Sequence, residues 1–375
     1  MKLVVIIPAL NEAKTIAQVV RGVPRNIDRI TETEVIVLND GSTDRTVAEA
    51  ESAGALVISL KGGGGLGMVF RTGIERAMRR GADIIVNIDG DGQFDPADIR
   101  PLIQPLLKDE ADFVTCSRFA DPALRPTMPK VKYYGNLAVT GMINWVCGGT
   151  HFTDVSCGFR AFTRESAYRM TLFGRFTYTQ ECFIDLFSKG VRIAEVPLKV
   201  RGVREFGKSR IAGSVWKYAV NSLPIIVRAM RDIQPLKFFG GIAMLLFLLG
   251  AAMEGFVGSW YLFHSHKTSP FTSLITIGGV LVTLGFLLGV LALLADMLGR
   301  HRRISEELLY LARRRIYSNR RTARVSLPPL AETPHGLTLH DSWSLPVMRE
   351  TPGDRQIDPP VVTAAMPKTR VTSLD

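Results

Sequence analysis

The sequence predicts an α/β domain, a mostly parallel sheet with helices on both faces, followed by two transmembrane helices. Three observations predict it. Short β-branched runs alternate with helical patterns through the first third of the chain. Those runs are almost continuously apolar, as strands covered by helices on both faces must be. Later, two stretches of more than twenty residues are overwhelmingly apolar, long enough to cross lipid.

Residues 3–8 form the first β-branched run and residues 34–38 the second, with a helical pattern over 13–20 between them, which is a βαβ opening. Runs at 55–60, 83–88 and 112–116 continue the alternation, and helices are expected over 66–80 and 96–107. Ligands of such a sheet belong at the carboxyl ends of its strands. Residues 238–263 and 271–295 each suffice, at 1.5 Å per residue, to cross a hydrocarbon core of about 30 Å. Their connection is too short for a domain, so the pair is expected to form a hairpin with both flanks on one side. Arg228, Arg231 and Lys237 before it, and the arginines from Arg300 onward, mark that side as cytosolic. Glu254 within the first span is read either as snorkelling to the interface or as packed against the partner helix.

Lys and Arg outnumber Asp and Glu by 46 to 35, and the mean hydropathy is +0.15, high for a wholly soluble chain. Much of the excess charge falls between Arg300 and Arg324, a local basic region in an otherwise balanced chain. No nucleic-acid partner is expected, because stacking aromatics and binding-module signatures are missing; a membrane surface fits better. Cys116, Cys147, Cys157 and Cys182 lack zinc-type spacing and no secretory leader precedes them, so they are expected to be reduced, mostly buried thiols. Residues 214–231 mix aromatic and aliphatic residues with Lys217, Arg228 and Arg231, a pattern for the headgroup plane or for packing on the globular domain. The run 305–316 is read as an interfacial helix or as a contact between subunits of a homo-oligomer.

The segment Val86-Asn87-Ile88-Asp89-Gly90-Asp91-Gly92-Gln93 carries the chemistry. In an extended chain, residues i, i+2 and i+4 point to one side, so Asp89, Asp91 and Gln93 can converge at a strand's carboxyl end. Two carboxylates and an amide oxygen are hard donors that suit Mg2+ or Mn2+, with water and substrate phosphate as the other ligands. By itself the segment reads equally as an acidic turn closed by glycines. Pro8-Ala9-Leu10-Asn11-Glu12 follows the first strand and Asn39-Asp40-Gly41-Ser42-Thr43-Asp44 the second, both where nucleotides bind. Asp40 can accept a base N–H, and Gly41 and Ser42 allow a tight exit turn.

At this order and spacing the three segments resemble the family 2 inverting glycosyltransferases of the GT-A fold, and within them the polyprenyl-phosphate and dolichol-phosphate mannosyl and glucosyl transferases. The resemblance runs from about residue 2 to about residue 315. Gly65-Leu66-Gly67 with Arg71, Gly73 and Ala77 matches the Gly-rich helix start, and Ser117-Arg118-Phe119 the Ser/Thr-Arg-Tyr/Phe step. Gly158-Phe159-Arg160 and the loop from Arg204 through Gly207, Lys208 and Ser209 to Arg210 complete the set, with Glu195-Val196-Pro197 ahead of that loop. Two positions depart from the pattern. Asn39 stands at the first acidic position of Asp-Asp-Gly-Ser, and Arg210 replaces a lysine, keeping its charge and adding a fork suited to phosphate.

The resemblance implies that Pro8, Leu10, Glu12, Leu38 and Asp40 line the nucleotide pocket, that Asp89 and Gly90 contact the sugar nucleotide, and that Asp91, Gln93 and Asp89 hold Mg2+ or Mn2+. Arg118, Arg204 and Arg210 would meet donor or acceptor phosphates. Asp89, Asp91, Arg118 and Arg160 would form the catalytic set, with Arg160 on the acceptor phosphate; a buried ion pair with Asp154 is the other reading of Arg160. The expected donor is a nucleoside-diphosphate hexose of the GDP-mannose or UDP-glucose type, and the acceptor a polyprenyl phosphate in the membrane; a saccharide or protein hydroxyl acceptor, and a non-catalytic nucleotide-sugar-binding membrane scaffold, are the alternative readings. Domains are expected as a GT-A catalytic domain at 1–213, a juxtamembrane amphipathic segment at 214–236, a transmembrane hairpin at 237–299, a basic cytosolic helix at 300–321 and a disordered tail at 322–375.

Overall fold

The computed structural model describes residues 1–174, 178–202, 235–263 and 268–322, with Pro224, Val227 and Arg231 singly. The amphipathic segment, the loop from Arg204 to Arg210 and the tail therefore lie outside the described residues, apart from those single positions.

Seven strands form one sheet among the described residues: β1 (Lys2–Ala9), β2 (Glu32–Asn39), β3 (Leu56–Ser59), β4 (Ile84–Asn87), β5 (Phe113–Ser117), β6 (Arg160–Thr163) and β7 (Ile193–Pro197). Their order is β3-β2-β1-β4-β6-β5-β7. All pairs are parallel except those of β6, which runs antiparallel to both β4 and β5. The five expected strands are present within a residue or two of their expected ends. β6 and β7 were not expected as strands; β6 is four residues long and opens on an arginine, which leaves no apolar run to recognise.

The helices of the globular part are α1 (Ile16–Gly22), α2 (Thr46–Ser52), α3 (Leu66–Arg79), α4 (Ile99–Leu107), α5 (Lys130–Val146), α6 (Arg164–Arg169) and α7 (Thr179–Ser188). The alternation of strand side chains divides the core. Leu3, Val5 and Ile7 of β1 pack with Ile16, Val19, Leu102 and Ile103 of α1 and α4 on one face. Val4 and Ile6 pack with Phe70 and Ile74 of α3 on the other, where α7 adds Cys182 and Leu186. Each such aliphatic side chain, fully buried, contributes about 1.5–3 kcal/mol. Gly73 lets α3 lie close on β1, since a Cβ there would stand 3.0 Å from Ile6 Cδ1. The first helix starts later than its pattern suggests, at Ile16, and Thr15 ahead of it donates its hydroxyl to the Gly90 carbonyl at 2.7 Å.

Two further helices, α8 (Pro235–Phe263) and α9 (Thr272–Thr322), are long and apolar enough to cross a membrane, and most of their apolar surface faces outward. They run antiparallel in close contact at glycines: a Cβ on Gly250 would meet the Gly278 carbonyl at 2.7 Å, and one on Gly285 the Phe247 nitrogen at 2.7 Å. Glu254 Oε1 would lie only 2.8 Å from a Cβ on Gly278, so its carboxylate packs against the partner helix. The second apolar stretch and the basic segment after it are one continuous helix. Beyond residue 300 that helix touches the globular domain through Glu306, Tyr310 and Arg313, while Leu308 and Leu311 face out.

Candidate active site

The loops leaving β1, β2 and β4 meet at the carboxyl edge of the parallel strands. Asn11, at φ +53, accepts from Thr43 N at 2.7 Å, and its own N–H donates to Ser42 Oγ at 2.9 Å. Glu12 N donates to Thr46 Oγ1 at 2.8 Å, so the first two loops are tied into one surface. Asn39 accepts from Ser42 N at 2.8 Å and donates to Ser59 Oγ at 3.1 Å. An amide does both, which accounts physically for asparagine where the family pattern has an acid.

Asp40 follows at the exit of β2. Burial pushes its carboxyl above the usual carboxylate range, against the opposing effect of the Gly64 N–H. One of its oxygens, Oδ1, is buried without a hydrogen-bond partner in the protein. A buried acceptor left open at a strand end is what a ligand N–H would satisfy. Leu38 beside it is buried, and Pro8 and Leu10 are half-buried.

β4 ends at Asn87, and residues 90–93 then form a turn, with Gly92 at φ +72. The expectation of an extended chain with alternating donors is therefore replaced: the segment that carries Asp89, Asp91 and Gln93 bends into a turn after β4. Asp91 is 3% exposed and accepts from Gln93 N at 3.0 Å. Gln93 Nε2 donates to the Arg201 carbonyl at 3.0 Å, and Arg201 N returns a bond to the Gln93 carbonyl at 3.0 Å. Gly90 presses on the end of β1, where a Cβ would meet the Pro8 carbonyl at 3.3 Å.

Asp89 packs on Gly158, where a Cβ would lie 3.0 Å from Asp89 Oδ2 and 3.4 Å from the Tyr178 hydroxyl. Tyr178 is buried and stacked on Phe70 at 3.7 Å, and its hydroxyl accepts from Asn87 Nδ2 at 2.7 Å. Burial first, then the nearby Asp89 charge, push its phenol well above the ordinary value. Neither Tyr178 nor Thr15 carried a signal in the sequence; both reach the site only through the tertiary fold.

Arg118 leaves β5 and grips Asp154 with a fork, Nε at 2.6 Å and Nη2 at 2.8 Å. Burial alone would loosen its proton, but the charge and hydrogen bonds of Asp154 outweigh that and push the guanidinium higher still. Glu195 in turn accepts from Thr153 N and Asp154 N, each at 2.8 Å. Its motif was visible in the sequence, but not its part in holding this loop.

Arg160 does not make the ion pair with Asp154 that one of its two readings gave. It is fully buried, and Asp154 is taken by Arg118 instead. Its guanidinium donates to the carbonyls of Cys157 at 2.8 Å and Val155 at 3.0 Å, among the rings of Phe113, Tyr178 and Phe183. These two bonds hold the chain ahead of Gly158, and the third nitrogen, Nη1, is buried without a hydrogen-bond partner in the protein. Arg204, Lys208 and Arg210 lie outside the described residues. The four cysteines are free and buried, as expected.

Among the described residues no group of three or more His, Cys, Asp or Glu side chains is arranged to hold a metal. The expected set has only two carboxylates and an amide. That fits a hard divalent ion that takes its remaining ligands from a diphosphate and water, and does not fit a cage built wholly from protein.

The family model described as glycosyl transferase family 2 matches residues 4–171. A UDP-N-acetylglucosamine--dolichyl-phosphate N-acetylglucosaminyltransferase of Methanococcus voltae is 32% identical over 214 residues, 52% of this chain and 83% of that protein. A dolichyl-phosphate hexose transferase of Haloferax volcanii is 30% identical over 201 residues, 53% of this chain and 82% of its own length. An undecaprenyl-phosphate mannosyltransferase of Micrococcus luteus is 27% identical over 233 residues, covering 59% and 91%. With the mixed sheet, the loops at its carboxyl edge and these shared lengths, the chain belongs to glycosyl transferase family 2 and is a glycosyltransferase of the GT-A fold.

Proposed function

We propose that the chain transfers a hexose, with inversion, from a nucleoside diphosphate to a polyprenyl phosphate of the dolichol or undecaprenyl type at the cytosolic face of a membrane. The observation that carries this reading is the union, in one chain, of a nucleotide-type strand edge bearing the open acceptor of Asp40 with two outward-facing apolar helices. The relatives support it, since all three are named for a lipid phosphate and they differ in the sugar.

Asp40 accepts a base N–H, with Leu38, Pro8 and Leu10 as the apolar wall. Asp91, Gln93 and Asp89 would hold Mg2+ or Mn2+, whose charge offsets the negative charge that gathers on a departing diphosphate. A phosphate monoester has a second pKa near 6, so the acceptor is already an anionic nucleophile at neutral pH and no general base is compulsory. Arg118, aimed by Asp154, adds positive charge at the end of β5.

The test is incubation of membranes carrying the chain with labelled GDP-mannose or UDP-glucose, a short prenyl phosphate and magnesium or manganese. Label moving into the organic phase from one donor is expected; no label from either would overturn the reading.

Two further results follow from the geometry. Asp40 accepts a base N–H much more strongly when ionised than when protonated, and its ionisation is shifted upward. Donor KM should therefore rise as pH falls, starting at a higher pH than an ordinary carboxylate would give, and Asp40→Asn should remove that pH dependence. Gly158→Ala should press on the Asp89 carboxylate, because a Cβ 3.0 Å from Oδ2 makes that side chain give by a few tenths of an ångström. A shift smaller than the roughly 1 Å that costs about 10²-fold should lower kcat by less than that, and the thermal midpoint should barely move.

A further inference from the structure

We propose that the extension of α9 is a rigid spacer that fixes the height of the active site over the bilayer, and that Tyr310 and Arg313 are thereby specificity-determining residues for an acceptor phosphate held at the membrane surface. This rests on the reading above that the acceptor is a prenyl phosphate in lipid.

The apolar part of α9 ends near Ala295, and the helix continues unbroken to Thr322. Neither glycine nor proline occurs from Arg300 to Thr322, so the stretch has no ready hinge. One face of it is spent on the globular domain. Glu306 lies 3.4 Å from Lys189, which itself sits 2.7 Å from Asp185. Tyr310, 6% exposed, donates its hydroxyl to Glu165. Arg313 donates to the carbonyls of Tyr168 at 3.0 Å and Met170 at 2.7 Å, and Tyr317 stacks on the ring of Tyr168. The spacings of four, three and four residues among these positions place them on one side of the helix.

Tyr310 stands fifteen residues past Ala295, about 22 Å along the axis at 1.5 Å per residue. The headgroup layer accounts for roughly 5–8 Å of that distance per leaflet. The grip therefore falls beyond the lipid surface, on the domain itself. It also falls close to the site in the chain: the gripped residues 165–170 lead toward Tyr178, whose hydroxyl bonds Asn87 and whose near neighbours include Asp89. A spacer gripped this way restricts the site to phosphates presented at one depth. A phosphate free in water is indifferent to that depth.

The test uses the full chain in mixed phosphatidylcholine and phosphatidylglycerol vesicles, with the donor that the wild type accepts. Transfer to undecaprenyl phosphate in the bilayer is compared with transfer to citronellyl phosphate in solution. A seven-residue helical insertion after Gly299 lengthens the spacer by about 10 Å while nearly preserving its facing side. It should lower transfer to undecaprenyl phosphate by about tenfold or more and leave citronellyl phosphate transfer within about twofold. Tyr310→Ala with Arg313→Ala releases the grip at unchanged length and should shift the ratio of the two activities in the same direction. An unchanged ratio in both variants overturns the proposal, as does loss of both activities in the double variant. A wild type that uses neither prenyl phosphate overturns the acceptor reading instead, so the two failures are distinguishable.

Discussion

Asparagine in place of Asp91 is expected to lower kcat by about 10³-fold, about 4 kcal/mol of transition-state stabilisation, while the folded chain persists. The substitution separates charge from shape. Asp91 accepts from Gln93 N, and an asparagine oxygen can keep that bond, so the turn that carries Asp89 and Gln93 should survive. What the amide cannot supply is the negative charge that attracts a divalent ion, in a position only 3% exposed, where solvent does not substitute for it. The manganese or magnesium concentration for half-maximal rate should therefore rise sharply in the variant. Far-ultraviolet circular dichroism and the thermal midpoint should match the wild type. A variant with kcat within about tenfold of the wild type would mean that the acidic turn does not serve the reaction.

Much of the fold was legible because its signals are local. The runs at 3–8, 34–38 and 83–88 are β-branched and apolar whatever surrounds them, and they become β1, β2 and β4. Asp40 was legible for the same reason, since a carboxylate at a strand exit needs only its own sequence neighbours to be noticed. The rest depends on distance in the chain. Arg118 and Asp154 are 36 residues apart, and nothing in either segment says that the fork belongs to that carboxylate rather than to a phosphate. The surroundings of Arg160 were hidden for the same cause: its aromatic and carbonyl neighbours come from β5, α7 and the loop before β6. The acidic segment past β4 was read both as an extended chain and as a glycine-closed turn because alternation looks the same in either, and Gly92 decides between them through its positive φ. At Arg300 the composition changes from apolar to basic, which reads as a boundary, yet backbone hydrogen bonding in a helix is indifferent to that change and α9 runs through it.

Alanine in place of Asp154 is the second large effect, and it falls on stability. Asp154 is fully buried; it accepts the Nε and Nη2 of Arg118, the backbone N–H of Arg118 at 3.2 Å and that of Ser156 at 3.2 Å. Removing it leaves a guanidinium that is only 14% exposed with its fork unmatched, a change that costs about 3–5 kcal/mol when a buried pair is broken from one side. At roughly 2–4 °C per kcal/mol for a domain of this size, a loss of 3 kcal/mol lowers the midpoint by about 6–12 °C. Replacing both partners, Arg118→Met with Asp154→Leu, removes the unmatched charge and should recover most of that stability. Activity should not follow. If Arg118 supplies charge to the transferred phosphates, the double variant is stable and idle; if the pair serves only to hold the loop from Thr153 to Gly158, stability and transfer return together. Measuring both on the same two variants separates a positioning pair from a catalytic arginine.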